Sequence, residues 1–288
     1  MIFLRSESDI EPYGSVILTP GASVAPQAVQ EVRERMKRVK RTVFAGAVCE
    51  QIVFNVADNV RNLKKAQPKP RFKNEEERAR HRTEIARKHH ALLVNNNFRA
   101  GSSLYSTLTF NDEWEVHTFS EARKIRDAFL RRIRRKRPDA KIMLYMGRGK
   151  GTERIHFHML SEGVPEEEII KQWKYGGTGR IVPLRRHNTC NGEDYGEDFT
   201  GLANYLFNHH TEEQGGHRYF RTRNIEAPKK ERVNVIMREY TIDKPPRAPK
   251  GYKLVEREKN GFGYLYFKYV KIPEKRRRGG NPSDTALL

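Results

Sequence analysis

The stretch from Leu104 to Leu184 limits the fold most strongly, because strand-like composition, caps and turns there spell out six elements in a row. LYSTLTF (Leu104–Phe110) has the branched and aromatic content of a strand. Thr118 followed by Glu121 makes a capping-box pattern, and Ile125, Phe129, Leu130 and Ile133 recur at helical spacing before Pro138 ends the run. KIMLYMGR and RIHFHML read as two strands joined by GKGTE, a glycine-bearing turn of hairpin length. Pro165 just inside a second helix start, with Glu166–Glu168 in the first turn, leads to Ile169, Ile170 and Trp173, and Gly176 acts as a stop. RIVPL is then a short strand. The order β-α-β-β-α-β predicts an α+β fold built on a ferredoxin/RRM-like antiparallel sheet with helices on one face.

The flanking segments read as N-terminal and C-terminal extensions. Pro12, Pro20 and Pro26 break any long element before a basic run at Arg33–Lys40, so residues 1–40 are expected to be a weakly structured segment. RTVFAGAVCEQIVFNV, from Arg41, reads as one or two strands. Asn74 before Glu75, Glu76 and Glu77 caps a basic helix running to about Asn95, so 41–97 pairs strands with a helix. Residues 98–225 form the central domain, which includes a further helix at about Phe199–His210. HRYFRTRNI and GFGYLYFKYVKI have strand composition on either side of a Lys/Pro-rich stretch, Asp243–Lys250. Residues 226–272 are expected to complete or flank the domain, and 273–288 to be a disordered basic tail.

Charge decides the partner class. The chain has 56 Lys+Arg against 36 Asp+Glu, a formal net charge of +20, which calls for a polyanion. Nucleic acid is the first choice, and an anionic membrane surface the weaker one. No stretch reaches the roughly 18 apolar residues a span needs, and MIFLRSESDIEPYG turns acidic before an apolar signal block develops, so a soluble, cytoplasmic protein is expected. Cys49 and Cys190 are far apart and form no CxxC, which points away from a disulfide scaffold. The helix from Ser120 concentrates Arg123, Arg126, Arg131, Arg132, Arg134, Arg135 and Arg137, and these are expected to contact DNA. The helix around Arg78–Lys88 has a similar surplus, diluted by Glu84. GRGKG (147–151) lacks the strand-to-helix context of a phosphate loop and reads as a hairpin turn.

His156-Phe157-His158 lies within RIHFHML. On a strand, residues i and i+2 share a face, so both imidazoles project together and Phe157 enters the core side. Such a pair can hold one divalent cation; the bland alternative is two imidazoles on a solvated sheet face. In GLANYLFNHH, Leu202, Leu206 and Phe207 would dock a helix on the sheet, leaving Gly201, Tyr205 and Asn208/His209 on an adjoining side. Tyr205 is then a nucleophile candidate, since a phenol of ordinary pKa needs a cation or base to shed its proton near pH 7.

STLTF, the strand IHFHML and a downstream helical tyrosine resemble, in order, the three motifs of the rolling-circle replication initiators of the HUH endonuclease superfamily. Further similarity lies in ALLVNNNF, VPEEEIIKQW, RYFRTRNI and GYLYFKYVKI, and it covers about residues 41–272. The resemblance implies an HUH endonuclease fold, with 98–225 as catalytic domain. It implies that Tyr205 attacks a DNA phosphodiester to leave a 5′-phosphotyrosine and a free 3′-OH, with His156 and His158 holding Mg2+ or Mn2+. Implied partners are single-stranded or supercoiled origin DNA and, because no helicase motif is visible, a host helicase and DNA polymerase in a bacterial cytoplasm. Two departures stand out. KIMLYMGR offers no carboxylate as third ligand and Glu153 would face away, so His209, at i+4 from Tyr205, is the candidate replacement. Asn208 occupies the position where many relatives carry a Lys. A non-catalytic DNA-binding module, or a transposase or mobilisation relaxase with the same site, are the competing readings.

Overall fold

The computed structural model describes residues 36–57, 74–114, 116–149, 154–185, 189–190, 193–194, 196–209, 218–259 and 264–272. The expected basic tail, Glu153 and most of the segment expected to be weakly structured lie outside them.

The capping residues act as the sequence predicts. Asn74 accepts from the Glu77 amide at 2.8 Å and opens helix α1 (Glu75–Asn97). Thr118 and Glu121 form a reciprocal capping box at the head of α2 (Phe119–Lys136). Pro165 is itself the N-cap of the short helix α3 (Glu166–Gln172), one position earlier than expected. The helix α4 spans Thr200–His209.

Strands β3 (Leu104–Thr109), β4 (Lys141–Arg148), β5 (Ile155–Glu162), β6 (Thr178–Pro183) and the two-residue β9 (Phe220–Arg221) make one antiparallel sheet, ordered β6-β3-β5-β4-β9. The first four lie in the spatial order fourth, first, third, second, which is the arrangement of a split β-α-β-β-α-β unit. Of HRYFRTRNI only Phe220 and Arg221 pair with β4.

Helices cover both faces of this sheet, and the expectation of helices on one face holds only for α2 and α3. Phe119, Ala122, Phe129, Leu130 and Ile133 of α2, with Ile169 of α3 and Trp173, pack on Leu108, Ile142, Leu144, Met146, Phe157 and Met159. Full burial of each large side chain contributes about 1.5–3 kcal/mol. The reverse face presents Met143, Tyr145 and Leu160 to Ala91, Val94 and Phe98 at the end of α1 and to Phe199, Ala203 and Leu206 at α4. The physical reason is that Ile142 to Met146 are all buried, a continuous apolar run that needs cover on both sides.

A second sheet is built from both ends of the described chain. β1 (Met36–Ala45) and β2 (Val48–Ala57) form a hairpin, and β13 (Leu265–Lys271) pairs with β2, followed outward by β12 (Tyr252–Lys259). The short strands β10 (Lys229–Lys230) and β11 (Asn234–Val235) both pair with β1. Met36–Lys40 are therefore strand, because β2 supplies partners for all ten residues of β1. A small ribbon of β7 (Thr189–Cys190) and β8 (Glu193–Asp194) stands apart. At the hairpin tip Gly46 has φ +60°, and a Cβ there would lie 2.1 Å from the Asn95 carbonyl oxygen, so only glycine fits. Val43 and Ala45 pack on Leu92, which puts α1 between the two sheets. Among the described residues no helix is long and apolar enough to cross a membrane.

Candidate active site

The pleat of β5 separates its side chains as the sequence requires. Phe157 is fully buried with α2 and α3, and His156 and His158 emerge on the α1/α4 face. Register with the neighbouring strands places Gly147 and Thr109 beside His156, and Tyr145 and Thr107 beside His158.

The helix α4 completes the cluster. Ala203, Leu206 and Phe207 are buried, which holds the helix down and leaves Tyr205 49% exposed. One turn on from Tyr205, His209 brings its Nε2 to 3.3 Å from His156 Nε2, and His158 Nε2 lies 3.2 Å from the same atom. One nitrogen from each of the three rings lies within 4.8 Å of the others, and among the described residues this is the group with the chemistry to hold a metal ion. The Tyr205 ring stacks on His209 at 5.1 Å and 19°, and its centroid is 6.0 Å from that of His158.

Burial pushes the His158 imidazole down to about 3, with His156 and His209 adding to the effect. His156 is lowered too, chiefly by burial, with the Arg154 carbonyl opposing and His209 reinforcing. Both rings are therefore neutral near pH 7, the state with a lone pair to give. Tyr105 occupies the ring nitrogen that points away from the cluster: its hydroxyl is 2.8 Å from His158 Nδ1, and Thr107 Oγ1 donates to that hydroxyl at 3.4 Å. A cation bound at Nε2 would leave the ring proton on Nδ1, where His158 would donate it to Tyr105. Burial raises the Tyr105 phenol, so it stays a neutral partner.

The donor set fits a divalent transition ion. Three imidazoles with no carboxylate are a poor match for Mg2+, which prefers an all-oxygen shell, and a better one for a transition ion. Gly147 makes the room: a Cβ there would lie 3.2 Å from the His209 carbonyl oxygen and 3.3 Å from His156 Nε2.

Polar contacts fix the start of α4. Asn95, 3% exposed in ALLVNNNF, accepts from the Phe199 amide at 2.8 Å and donates to Thr200 Oγ1 at 3.2 Å. Lys268 of β13 reaches in from the other sheet, 2.6 Å from Asp198 and 3.0 Å from Thr200 Oγ1. Two of the four segments whose resemblance lay outside the three motifs, ALLVNNNF and GYLYFKYVKI, thus hold the helix that carries Tyr205.

The arginines expected to contact DNA are not brought to this site. The helix α2 covers the opposite face of the sheet. Its C-terminal end, with Arg134, Arg135 and Arg137, lies by Ala140, just before β4 and seven residues, or about 23 Å of strand, from Gly147, the position that pairs with His156. Arg132 donates to the Gln172 carbonyl and to the Tyr175 hydroxyl, and Arg126 pairs with Asp127, so both are engaged in local contacts; Arg123 and Arg131 share that face. Asn208 is exposed on α4. In GRGKG the Gly149 amide donates to the Arg154 carbonyl at 2.9 Å, as a hairpin turn would, and the rest of that turn lies outside the described residues.

Sequence reading alone missed Tyr105, Thr107, Gly147, Asn95 and Lys268. The alternation of LYSTLTF places Tyr105 and Thr107 on one face, a usable signal once β3 is known to lie beside β5. Comparisons with protein-family models, with curated proteins and with solved structures found no match.

Proposed function

We propose that the protein is a metal-dependent nicking and joining enzyme for single-stranded origin DNA, a rolling-circle replication initiator with an HUH-type site. The observation that carries this reading is the convergence of His156, His158 and His209 with Tyr205 stacked on the last of them. An alternating strand and a helical turn, remote in sequence, bring together a nitrogen-rich cation site and an exposed phenol.

In the proposed reaction Tyr205 Oη attacks the phosphorus of a phosphodiester. The Oη–P bond forms as the P–O3′ bond breaks, and the phenolic proton passes through solvent to the departing 3′ oxygen. The product is a 5′-phosphotyrosine with a free 3′-OH. One diester replaces another of similar energy, so a 3′-OH can reverse the step and rejoin the strand without a nucleotide cofactor. His156, His158 and His209 would hold the ion, whose positive charge would help Tyr205 ionise and offset charge developing on the phosphate oxygens. His209 has a second task, since its ring fixes the plane of Tyr205. Half exposure of Tyr205 leaves its hydroxyl open to an approaching strand. Unwinding and synthesis would then fall to a host helicase and DNA polymerase.

The test is cleavage of single-stranded oligonucleotides tiled across the genetic element that encodes the protein, with Mn2+ or Mg2+. A unique cut and a protein–DNA adduct mapped to Tyr205 are expected, and Tyr205→Phe should lose the adduct while still binding the strand. An adduct that survives Tyr205→Phe overturns the assignment. Tight strand binding by the wild type with no cut under any metal favours the non-catalytic DNA-binding reading instead.

A further inference from the structure

Most arginines near the metal cluster's end of the sheet are already engaged. Arg148 donates to the His117 carbonyl and lies over the Phe119 ring, and Arg154 pairs with Asp112. Arg180 differs: it is exposed on β6 and has no hydrogen bond or ion pair among the described residues.

Its register puts it on the site's face. Arg180 pairs with Thr107, Thr107 with His158, and His158 with Tyr145, so the four stand in one row across β6, β3, β5 and β4. At the usual strand spacing the Arg180 and His158 backbones are about 10 Å apart. Only the small Thr107 stands between them, and a long guanidinium side chain laid over it covers most of that gap. β6 is the edge of the sheet, so the row opens to solvent on the Arg180 side.

The backbone is shaped at this point. The β3–β6 register shifts between Thr107 and Leu108, which pair with Arg180 and Thr178 and leave Gly179 as the extra residue of a bulge. Bulges bend an edge strand and re-aim the adjoining side chain, and they recur beside active sites. The electrostatics agree with the placement. Burial is the main influence on the Tyr105 phenol and raises it, the Thr107 hydroxyl lowers it, Tyr205 raises it further, and Arg180 lowers it. Tyr205 and Arg180 are thus both within Coulomb reach of the tyrosine that holds His158.

We propose that Arg180 binds a phosphate of the single strand whose neighbouring phosphodiester lies at the histidine cluster, entering over the β6 edge. The proposal rests on the nucleic-acid function argued above. A guanidinium offers two parallel donors to two phosphate oxygens, a geometry that an ammonium lacks. It also supplies a cation on the site's face, where the exposed Asn208 of α4 brings none.

Binding is measured without turnover, in a Tyr205→Phe parent, by fluorescence anisotropy of a labelled oligonucleotide spanning the cleavage site over a series of salt concentrations. Adding Arg180→Ala should weaken affinity about tenfold, as loss of a charged hydrogen bond does. It should also make the slope of log K against log salt shallower by about 0.7, one phosphate contact on a single strand. Arg180→Lys should restore the slope but not all of the affinity. Lys259→Ala, an exposed charge on β12 of the other sheet, should change neither. An Arg180→Ala slope and affinity equal to the parent's overturn the proposal. Failure of the wild type to cleave overturns the enzymatic reading separately, because the salt slope is read without cleavage, and failure of the parent to bind the strand at low salt overturns both.

Discussion

The Tyr105 hydroxyl lies 2.8 Å from His158 Nδ1, joining the first strand of the split unit to its third through a ring of the three-histidine cluster. Second partners of this kind fix a ligand's tautomer, and their loss typically costs 10–100-fold in metal affinity. Tyr105→Phe keeps the ring and removes the oxygen. The expected result is weaker Mn2+ binding by titration calorimetry, within that range, with little change in melting temperature. Unchanged affinity would mean that Thr107, 3.4 Å from the same nitrogen, is sufficient.

Lys268 couples the second sheet to the helix that carries Tyr205. It is 6% exposed and sits 2.6 Å from Asp198, just before α4. Burial alone would raise the Asp198 carboxyl, but Lys268 and Thr200 outweigh it and hold the group below its usual range. Removing one member of such a buried pair costs about 3–5 kcal/mol. Lys268→Met should therefore destabilise the fold by that order in urea titration, and Lys268→Met with Asp198→Asn should recover part of the loss. A double variant less stable than the single would contradict the pairing.

The parts of the site readable from sequence are those set by local geometry. Period two put His156 and His158 on one face, and one helical turn put His209 with Tyr205. Tyr105, Gly147 and Arg180 depend on which strands lie side by side, and that is decided by pairings across the sheet, not by any window of sequence. The second sheet is a stronger case: β13 pairs with β2 from the far end of the chain, and a run such as GYLYFKYVKI carries no mark of its partner. The separation of the α2 arginines from the histidines has a similar origin. Arginine density on a helix says that one face is basic, but the face of the sheet it covers follows from the crossover, which sets α2 opposite the histidines.

His90 makes stability depend on pH. It is fully buried on α1, with Nε2 2.7 Å from the Tyr145 hydroxyl, and burial pushes it from the ordinary 6.5 down to about 3, with His89 adding slightly. The folded state resists the proton that the unfolded chain accepts, so this contribution is intact above 6.5 and is lost as the pH falls below it. One such group costs about 2 kcal/mol between pH 6.5 and about pH 5. Urea unfolding of the metal-free protein should show that loss enlarged by the other buried histidines, and His90→Gln should reduce the pH slope by one proton. An unaltered slope would place the uptake elsewhere.

Gly147 tests how tightly the two halves of the site are held together. It lies on β4 opposite His156, and the Cβ of an alanine would be 3.2 Å from the His209 carbonyl oxygen and 3.3 Å from His156 Nε2. Both contacts are closer than ordinary van der Waals separation, so the end of α4 or the His156 ring must give by a few tenths of an ångström. Either movement spreads the nitrogens that now converge. Gly147→Ala should weaken Mn2+ binding several-fold while the melting temperature shifts little, since strand backbone tolerates alanine well. Gly201→Ala in α4 is the matched control: nothing lies within 4 Å of its new Cβ, and alanine favours helix over glycine by about 0.5–1 kcal/mol. It should raise stability slightly and leave the metal affinity where it was. Equal metal affinities for the two variants would show that α4 floats over β4 more loosely than the 3.3 Å between His156 and His209 implies.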